Sequence, residues 1–376
     1  MDNNNIKIGI ITFHRAVNYG AVLQTWALEQ YLISKGFKVE IVDYRNKHIE
    51  DHYEPFNLLT LFHKRRLITF LKYLIFYNLN TGLVIKRNLS FSKFLESNLI
   101  ITSTDSQDLN NLLKDFDALI CGSDQIWNPI LTGGWDKIYF LKFDKKMKCI
   151  KMAYAVSMGN LSKIKNRENI KDIKNKLKDL DYISVRESGM IKLLKQYTNK
   201  QIITTIDPTL LIDQKMYGKL GLANIIEEPY IFVFQVVKDK RAMLLAKRIA
   251  QKEGLRIIQL LSGLNNLIFK NRIIQTCGPV EFLNLIKYSS YVITTSFHGT
   301  ALSIVFKKNF FTINTGSSER QGYLLKSLDL DSRYVNNINK INIDEMIDYN
   351  RVFIKFEQHK KRSCIFLNKL SKNCNK

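Results

Sequence analysis

The stretch KIGIITFHRAVNYGAVLQTWALEQYLISKGFKVEIVDY, Lys7 to Tyr44, decides the fold class. Lys7 to Phe13 is a short, mostly apolar, isoleucine-rich run, as a strand covered on both faces must be. A glycine-containing turn, Asn18-Tyr19-Gly20, follows. From Ala21 to Lys35 the apolar residues Val22, Leu23, Trp26, Leu28, Tyr31 and Leu32 recur at roughly helical spacing. Gly36 stands where a helix end favours a left-handed residue, and Phe37 to Tyr44 reads as a second strand. The sequence therefore opens on a βαβ unit, which makes a parallel pair of strands.

The alternation continues outward from this unit. Ala118 to Cys121 ends in Gly122-Ser123-Asp124, and Ile150 to Val156 ends in Ser157-Met158-Gly159. Both stop in small polar residues, as strands do when their carboxyl ends border a binding crevice. Leu180 to Val185 and Ile202 to Ile206 follow, the latter closing at Asp207-Pro208. After Asn224 to Pro229 the pattern restarts, with strands at Tyr230 to Val236, Leu255 to Leu261 and Tyr291 to Thr295. Helices are expected at Arg241 to Glu253, Pro279 to Lys287 and Ala301 to Phe306. Two successive parallel-sheet units predict an α/β protein with two Rossmann-like lobes facing a central cleft. The expected division is 1–222 for the first lobe and 223–340 for the second. A helical segment at 341–376, centred on Ile343 to Leu370, is expected to cross back to the first lobe.

Composition narrows the function. The 376 residues carry 45% hydrophobic content, enough for two cores. The five cysteines are scattered and odd in number, without Cys-x-x-Cys or His/Cys spacing, which fits a reducing, cytoplasmic compartment and argues against structural zinc. The residues after Met1 lack the basic and apolar regions of an export signal, and no run approaches the ~20 apolar residues of a spanning helix. The net charge of +23 is spread along the chain among Asn and Ile rather than gathered. Aromatic residues sit in apolar strands instead of alternating with Lys and Arg, and no nucleic-acid module is present, so specific nucleic-acid binding is not expected. One basic cluster stands out: His63-Lys64-Arg65-Arg66 precedes the aromatic, apolar run Leu67 to Tyr77, with Lys86-Arg87 after it. That pattern suits either a helix buried against the core or a peripheral contact with the inner face of a membrane.

Four groups of residues could carry chemistry. Thr295-Ser296-Phe297-His298-Gly299-Thr300 joins a strand to a helix, so His298 can exchange a proton beside a helix N-terminus that favours anions, with Gly299 admitting close approach. Arg186, in Ser184-Val185-Arg186-Glu187, offers a planar fork for carboxylate or phosphate, which Glu187 could orient. Arg320 follows Thr315-Gly316-Ser317-Ser318, a small-residue loop able to cradle phosphate with its N–H groups. Gly122-Ser123-Asp124-Gln125-Ile126-Trp127-Asn128 combines carboxylate, amides and an aromatic face, a mixture suited to a sugar. Equally, Asp124 could cap a turn and Trp127 pack internally. Asn18, Tyr19 and Gln24 occupy the matching edge of the first βαβ unit. Asp43, Asp124 and Asp207 are too separated in sequence to suggest a metal site, so no metal is expected.

These pieces, in this order, resemble the polysaccharide pyruvyl transferase family over about Lys7 to Val335. The resemblance rests on Asn18-Tyr19-Gly20-Ala21-Val22-Leu23-Gln24, Gly122 to Asn128, Ser184-Val185-Arg186-Glu187, Asp207-Pro208-Thr209 and Ser296-Phe297-His298-Gly299. It implies a fold similar to GT-B glycosyltransferases, phosphoenolpyruvate as co-substrate in place of a cofactor, and a saccharide acceptor. It also implies that Arg186 and His298 serve donor binding and catalysis. On that reading Arg186, Ser296, His298, Gly299, Gly316, Ser317 and Arg320 bind the donor. Asn18, Tyr19, Gln24, Ser123, Asp124, Gln125, Trp127 and Asn128 bind the acceptor, and His298, Arg186 and Asp124 are catalytic. The first lobe then takes the acceptor, lipid-linked if the basic aromatic run meets a membrane, and the second takes the donor. The rival expectations are a GT-B glycosyltransferase using a nucleotide sugar and a non-catalytic saccharide-binding relative.

Overall fold

The computed structural model describes residues 3–53, 67–102, 109–143, 148–161, 164, 172–261, 273–316 and 319–374. Its first sheet consists of β1 (Lys7–Ile11), β2 (Lys38–Ile41), β3 (Ala118–Cys121), β4 (Ile150–Val156), β5 (Tyr182–Val185) and β6 (Ile202–Thr204), in the order β2-β1-β3-β4-β5-β6. The second consists of β7 (Tyr230–Gln235), β8 (Arg256–Leu261), β9 (Ile273–Ile274), β10 (Tyr291–Thr294), β11 (Asn309–Ile313) and β12 (Tyr334–Val335), in the order β12-β11-β10-β7-β8-β9. Every strand pair is parallel. Read from its far edge, the second sheet has the 3-2-1-4-5-6 order of the dinucleotide-binding fold, whereas the first has a flavodoxin-like order. Strand order reverses between β1 and β3 in one lobe and between β7 and β10 in the other. Ligand crevices in such sheets open beyond the carboxyl ends of the strands at those points.

The helices follow from local chemistry. α1 (Tyr19–Ile33) starts two residues earlier than the apolar spacing suggests because Asn18 caps it, its Oδ1 accepting from the N–H groups of Gly20 and Ala21. Gly36, at φ 86°, makes the left-handed turn into β2. α2 (Leu67–Asn98) is one continuous helix, while the basic run His63 to Arg66 lies outside the described residues. No described helix is long and apolar enough to cross a membrane. α3 (Lys240–Glu253) and α4 (Pro279–Lys287) flank the second sheet. α5 (Phe297–Val305) begins four residues before the expected Ala301, because Ser296 caps it by accepting from Gly299 N. α6 (Glu319–Ser327) is a further helix that the periodicity did not announce.

The chain end differs from one long helix over Ile343 to Leu370. α7 (Tyr349–Leu367), capped by Asp348, is followed by α8 (Lys369–Cys374). Tyr349 bonds the carbonyl of Lys308 in the second lobe, whereas Ser363 accepts from Ile206 N and Phe366 packs on Tyr154 and Tyr182 in the first. One apolar cluster runs through both lobes, containing Ile8, Trp26 and Met152 together with Phe232, Phe282 and Leu302. The lobes are therefore joined by core packing as well as by chain.

Candidate active site

Arg186 is the first residue after β5. Its N–H bonds the carbonyl of Val156, which holds the backbone in register while the side chain turns inward to 4% exposure. Nη2 donates to Asp207 Oδ2 at 2.7 Å and to Ser123 Oγ at 2.5 Å, and Nη1 lies 3.8 Å from Asp124 Oδ1. Asp207 follows β6 and caps the turn at Pro208–Leu210, its Oδ1 accepting from the N–H and hydroxyl of Thr209. Burial alone would raise this carboxyl. The charges of Arg186 and His298 beside it instead hold it well below the usual carboxylate range.

Ser123 and Asp124 reach this cluster through a sharp turn after β3. Gly122 has φ 118°, and a Cβ there would collide with the carbonyl oxygen of Tyr154, so only glycine fits. Asp124 itself is left-handed at φ 75°, a conformation Asp tolerates better than most residues.

From the second lobe, Phe297 and His298 enter on the first turn of α5, and Arg320 on that of α6. His298 Nε2 stands 3.5 Å from Asp207 Oδ2, beyond good hydrogen-bond length. Arg320 Nη1 lies 3.7 Å from Asp124 Oδ1, so that carboxylate sits between two guanidiniums. The Phe297 ring is 4.7 Å from the Arg186 guanidinium and 5.6 Å from that of Arg320. Burial lowers the Arg320 pKa, and the neighbouring Arg186 charge lowers it further. Glu187 is also buried and accepts from Ser157 Oγ at 2.8 Å; burial raises its carboxyl despite the two arginines. A small cavity beside the cluster is lined by Arg186, Asp207, Phe297, Arg320, Tyr323 and His359.

Arg186 Nε and Nη1, His298 Nε2 and Glu187 Oε2 are buried atoms to which no protein group is hydrogen-bonded. Native interiors rarely leave such groups unmatched, because each costs about 1–3 kcal/mol. These four atoms fall on three neighbouring residues at the seam between the lobes, while the other unmatched atoms among the described residues are scattered over Asn3, Tyr31, Arg87, Trp135 and Arg333. The arrangement can clamp an anion and offer it a proton.

The other candidate residues are placed differently. Ser296 is a helix cap, and Gly299 admits the Thr294 side chain, which a Cβ would meet at 2.5 Å. Gly316 is exposed beyond the carboxyl end of β11, its N–H turned back to Asn314, and Ser317 lies outside the described residues. Four expected acceptor groups are instead internal. Tyr19 donates its hydroxyl to the carbonyl of Cys277. Gln24 is fully buried, donating to Thr12 and accepting from Ser123 N. Trp127 is 1% exposed, stacked on Phe140, with its indole N–H on the carbonyl of Tyr139. Asn128 caps a short helix through Ile130 N. Asn18 is the α1 cap already described, and Gln125 accepts from Asn128 Nδ2. A short polar residue after a strand serves a cap or a turn as readily as a ligand, and here that use prevails.

Nothing in the local sequence gives Asp207 or Phe297 a role in the site; the fold sets Asp207 between Arg186 and His298 and lays the Phe297 ring on the Arg186 guanidinium. Asp-x-Asp triplets occur at Asp115–Asp117, Asp179–Asp181 and Asp329–Asp331. Each lies ahead of a strand's amino end, away from the crevice. Among the described residues no three His, Cys, Asp or Glu side chains gather as a metal site.

Comparison with known proteins adds two findings. The chain is similar to several solved structures. UDP-GlcNAc 2-epimerase from Neisseria meningitidis matches at TM-score 0.48 and 11% identity, covering 98% of this chain and 100% of the other. A glycosyltransferase from Rickettsia africae matches at TM-score 0.49 and 11% identity, with the same coverage. No curated protein matches the sequence. The model of the polysaccharide pyruvyl transferase family matches residues 18–317, a span that begins at the α1 cap and contains Asp124, Arg186, Asp207 and His298. The chain belongs to the polysaccharide pyruvyl transferase family.

Proposed function

We propose that this enzyme moves the pyruvyl group of phosphoenolpyruvate onto two hydroxyls of a sugar in a bacterial surface-polysaccharide precursor, forming a ketal and releasing phosphate. The observation that carries the proposal is the buried, partly unmatched guanidinium of Arg186 beside the unmatched Nε2 of His298. Phosphoenolpyruvate presents a carboxylate and a phosphate on one small carbon frame. Arg186 and Arg320 would hold these two groups, and the low-dielectric setting would strengthen both contacts.

His298 would give a proton from Nε2 to the methylene carbon, leaving C2 electrophilic. One sugar hydroxyl adds to C2, and its proton returns to the histidine. The C2–O bond to phosphate then breaks, the second hydroxyl adds, and its proton leaves with the phosphate. Arg320 and Arg186 offset the charge on the departing group. Asp124, between the two guanidiniums, would orient the acceptor hydroxyl. Asp207 holds Arg186 in place and faces the imidazole.

Phosphate release from phosphoenolpyruvate with candidate saccharides, set against calorimetry with UDP-sugars, tests the reading. Tight binding of a UDP-sugar with none of phosphoenolpyruvate would replace it with a nucleotide-sugar glycosyltransferase. The cytoplasmic side of the membrane fits the donor, and a lipid-linked acceptor in capsule or exopolysaccharide synthesis fits the basic aromatic run around Lys64 to Tyr77. Flotation with liposomes containing or lacking anionic lipid tests that contact: no binding to either removes it.

A further inference from the structure

In the Asn18-Tyr19-Gly20 turn, the Tyr19 side chain is built into the opposite lobe. Tyr19 is 2% exposed and stacks on Phe282 of α4 with ring centroids 4.5 Å apart and planes at 16°. Its ring makes a T-shaped contact with Phe234 at the end of β7, its face lies 5.4 Å from the Arg87 guanidinium, and its hydroxyl donates to the carbonyl of Cys277 at 2.8 Å. Asn18 fixes the backbone on either side of it by capping α1. The first turn of α1 therefore cannot shift relative to the second lobe without breaking aromatic packing and a buried hydrogen bond.

Gly20, next in the chain, lies against the imidazole of His298. A Cβ at this position would fall on Nδ1 and Cγ and stand 2.6 Å from Cε1. These are atoms of a ring close to its backbone, not the end of a flexible chain. The opposite edge of the ring faces Asp207, 3.5 Å from Nε2, and Phe297 lies edge-on to it at 5.2 Å. Alanine is the better helix former at an ordinary position in a helix. Glycine is present where the helix of one lobe touches the histidine of the other.

We infer that Tyr19 and Gly20 form an interlobe rivet in which Gly20 is a positioning residue for His298, setting where Nε2 points. The inference rests on the catalytic reading of His298 for its consequence, though not for the contact itself. A ring displaced by about 1 Å from its productive position can cost about 10²-fold in rate.

The test compares wild type, Gly20→Ala, His298→Ala and the double variant. Gly20→Ala is expected to lower Tm and to reduce kcat about 10²-fold, with the KM for phosphoenolpyruvate changed by less than about threefold. In the His298→Ala background the same substitution is expected to leave Tm unchanged or raise it, because the ring it strikes is gone. Equal Tm losses in both backgrounds, or full kcat in Gly20→Ala, overturn the inference. If Gly20→Ala fails to fold, the double variant decides: a folded double variant supports the contact and an unfolded one removes it. Activity retained by His298→Ala would sink the catalytic reading, and the two Tm comparisons would still judge the contact.

Discussion

Among the described residues, histidine, arginine and aspartate meet around Asp43 and again around Asp207, and the two meetings differ in how fully they are matched. At the outer edge of the first sheet, Asp43 receives His14 Nε2 at 3.0 Å, both Nε and Nη2 of Arg15, and Arg45 Nη2 at 3.2 Å. The other ring nitrogen of His14 is 3.2 Å from the carbonyl of Thr12. Between the lobes, Asp207 receives Arg186 at 2.7 Å, but Arg186 keeps two buried nitrogens without an acceptor and His298 stays 3.5 Å away. The first cluster is saturated and ties β1 to β2. The second has binding capacity left over, in a place that water barely reaches. Residue type alone does not separate these two clusters; unmatched buried groups gathered on adjacent residues at a seam do.

The comparison breaks if His298 can be removed without consequence. His298→Ala should reduce kcat by about 10²–10⁴-fold in the phosphate-release assay while circular dichroism stays native, whereas His14→Ala should leave kcat in place. Arg186→Lys is the next test. A lysine supplies one point charge in place of a fork, so it cannot reach Asp207, Ser123 and a substrate together, and the KM for phosphoenolpyruvate should rise more than about tenfold. Arg186→Ala goes further, leaving the buried Asp207 without its closest cationic partner. A loss of about 3–5 kcal/mol in denaturant unfolding is expected.

Acid sharpens the contrast in stability. The Asp43 carboxyl, like that of Asp207, is held well below the usual range: burial opposes ionisation, and the hydrogen bonds of His14, Arg15 and Arg45 overcome it. A depressed folded value means that its stabilisation is complete above the unfolded value of about 3.9 and drains away as pH falls through the folded one. Asp43→Asn should therefore be roughly 1–3 kcal/mol less stable than wild type at pH 7, and the gap should close progressively below about pH 4. A gap independent of pH would show that the ionised carboxylate is not what binds the edge of the sheet.

Much of the fold was legible because parallel strands buried on both faces announce themselves as apolar runs. Ala118–Cys121 and Ile150–Val156 needed no tertiary information. Asn309–Ile313, lodged between two helices, was not, since Asn309 and Thr312 interrupt its apolar run, and the two-residue Tyr334–Val335 is too short to show any pattern. In the site, Arg186, Asp124, His298 and Arg320 were visible as polar residues at element ends, and the fold gathers them. Tyr19, Gln24 and Trp127 looked alike by the same rule, yet their polar atoms are consumed inside the wall. Whether a side chain points into a crevice or back into its own lobe depends on one turn of backbone, which local spacing does not encode.

The smallest effect expected is also the most direct control on the comparison. Arg15 is one-third exposed where it pairs with Asp43, and Asp43 keeps His14 and Arg45 when Arg15 is removed. Exposed ion pairs contribute less than about 1 kcal/mol because solvent screens them and two flexible side chains must be ordered. Arg15→Ala should thus lower stability by less than about 1 kcal/mol, with the loss shrinking in high salt, and leave phosphate release unchanged. A large fall in turnover with intact stability would mean that the saturated cluster also touches substrate, and unmatched groups would no longer separate the two clusters.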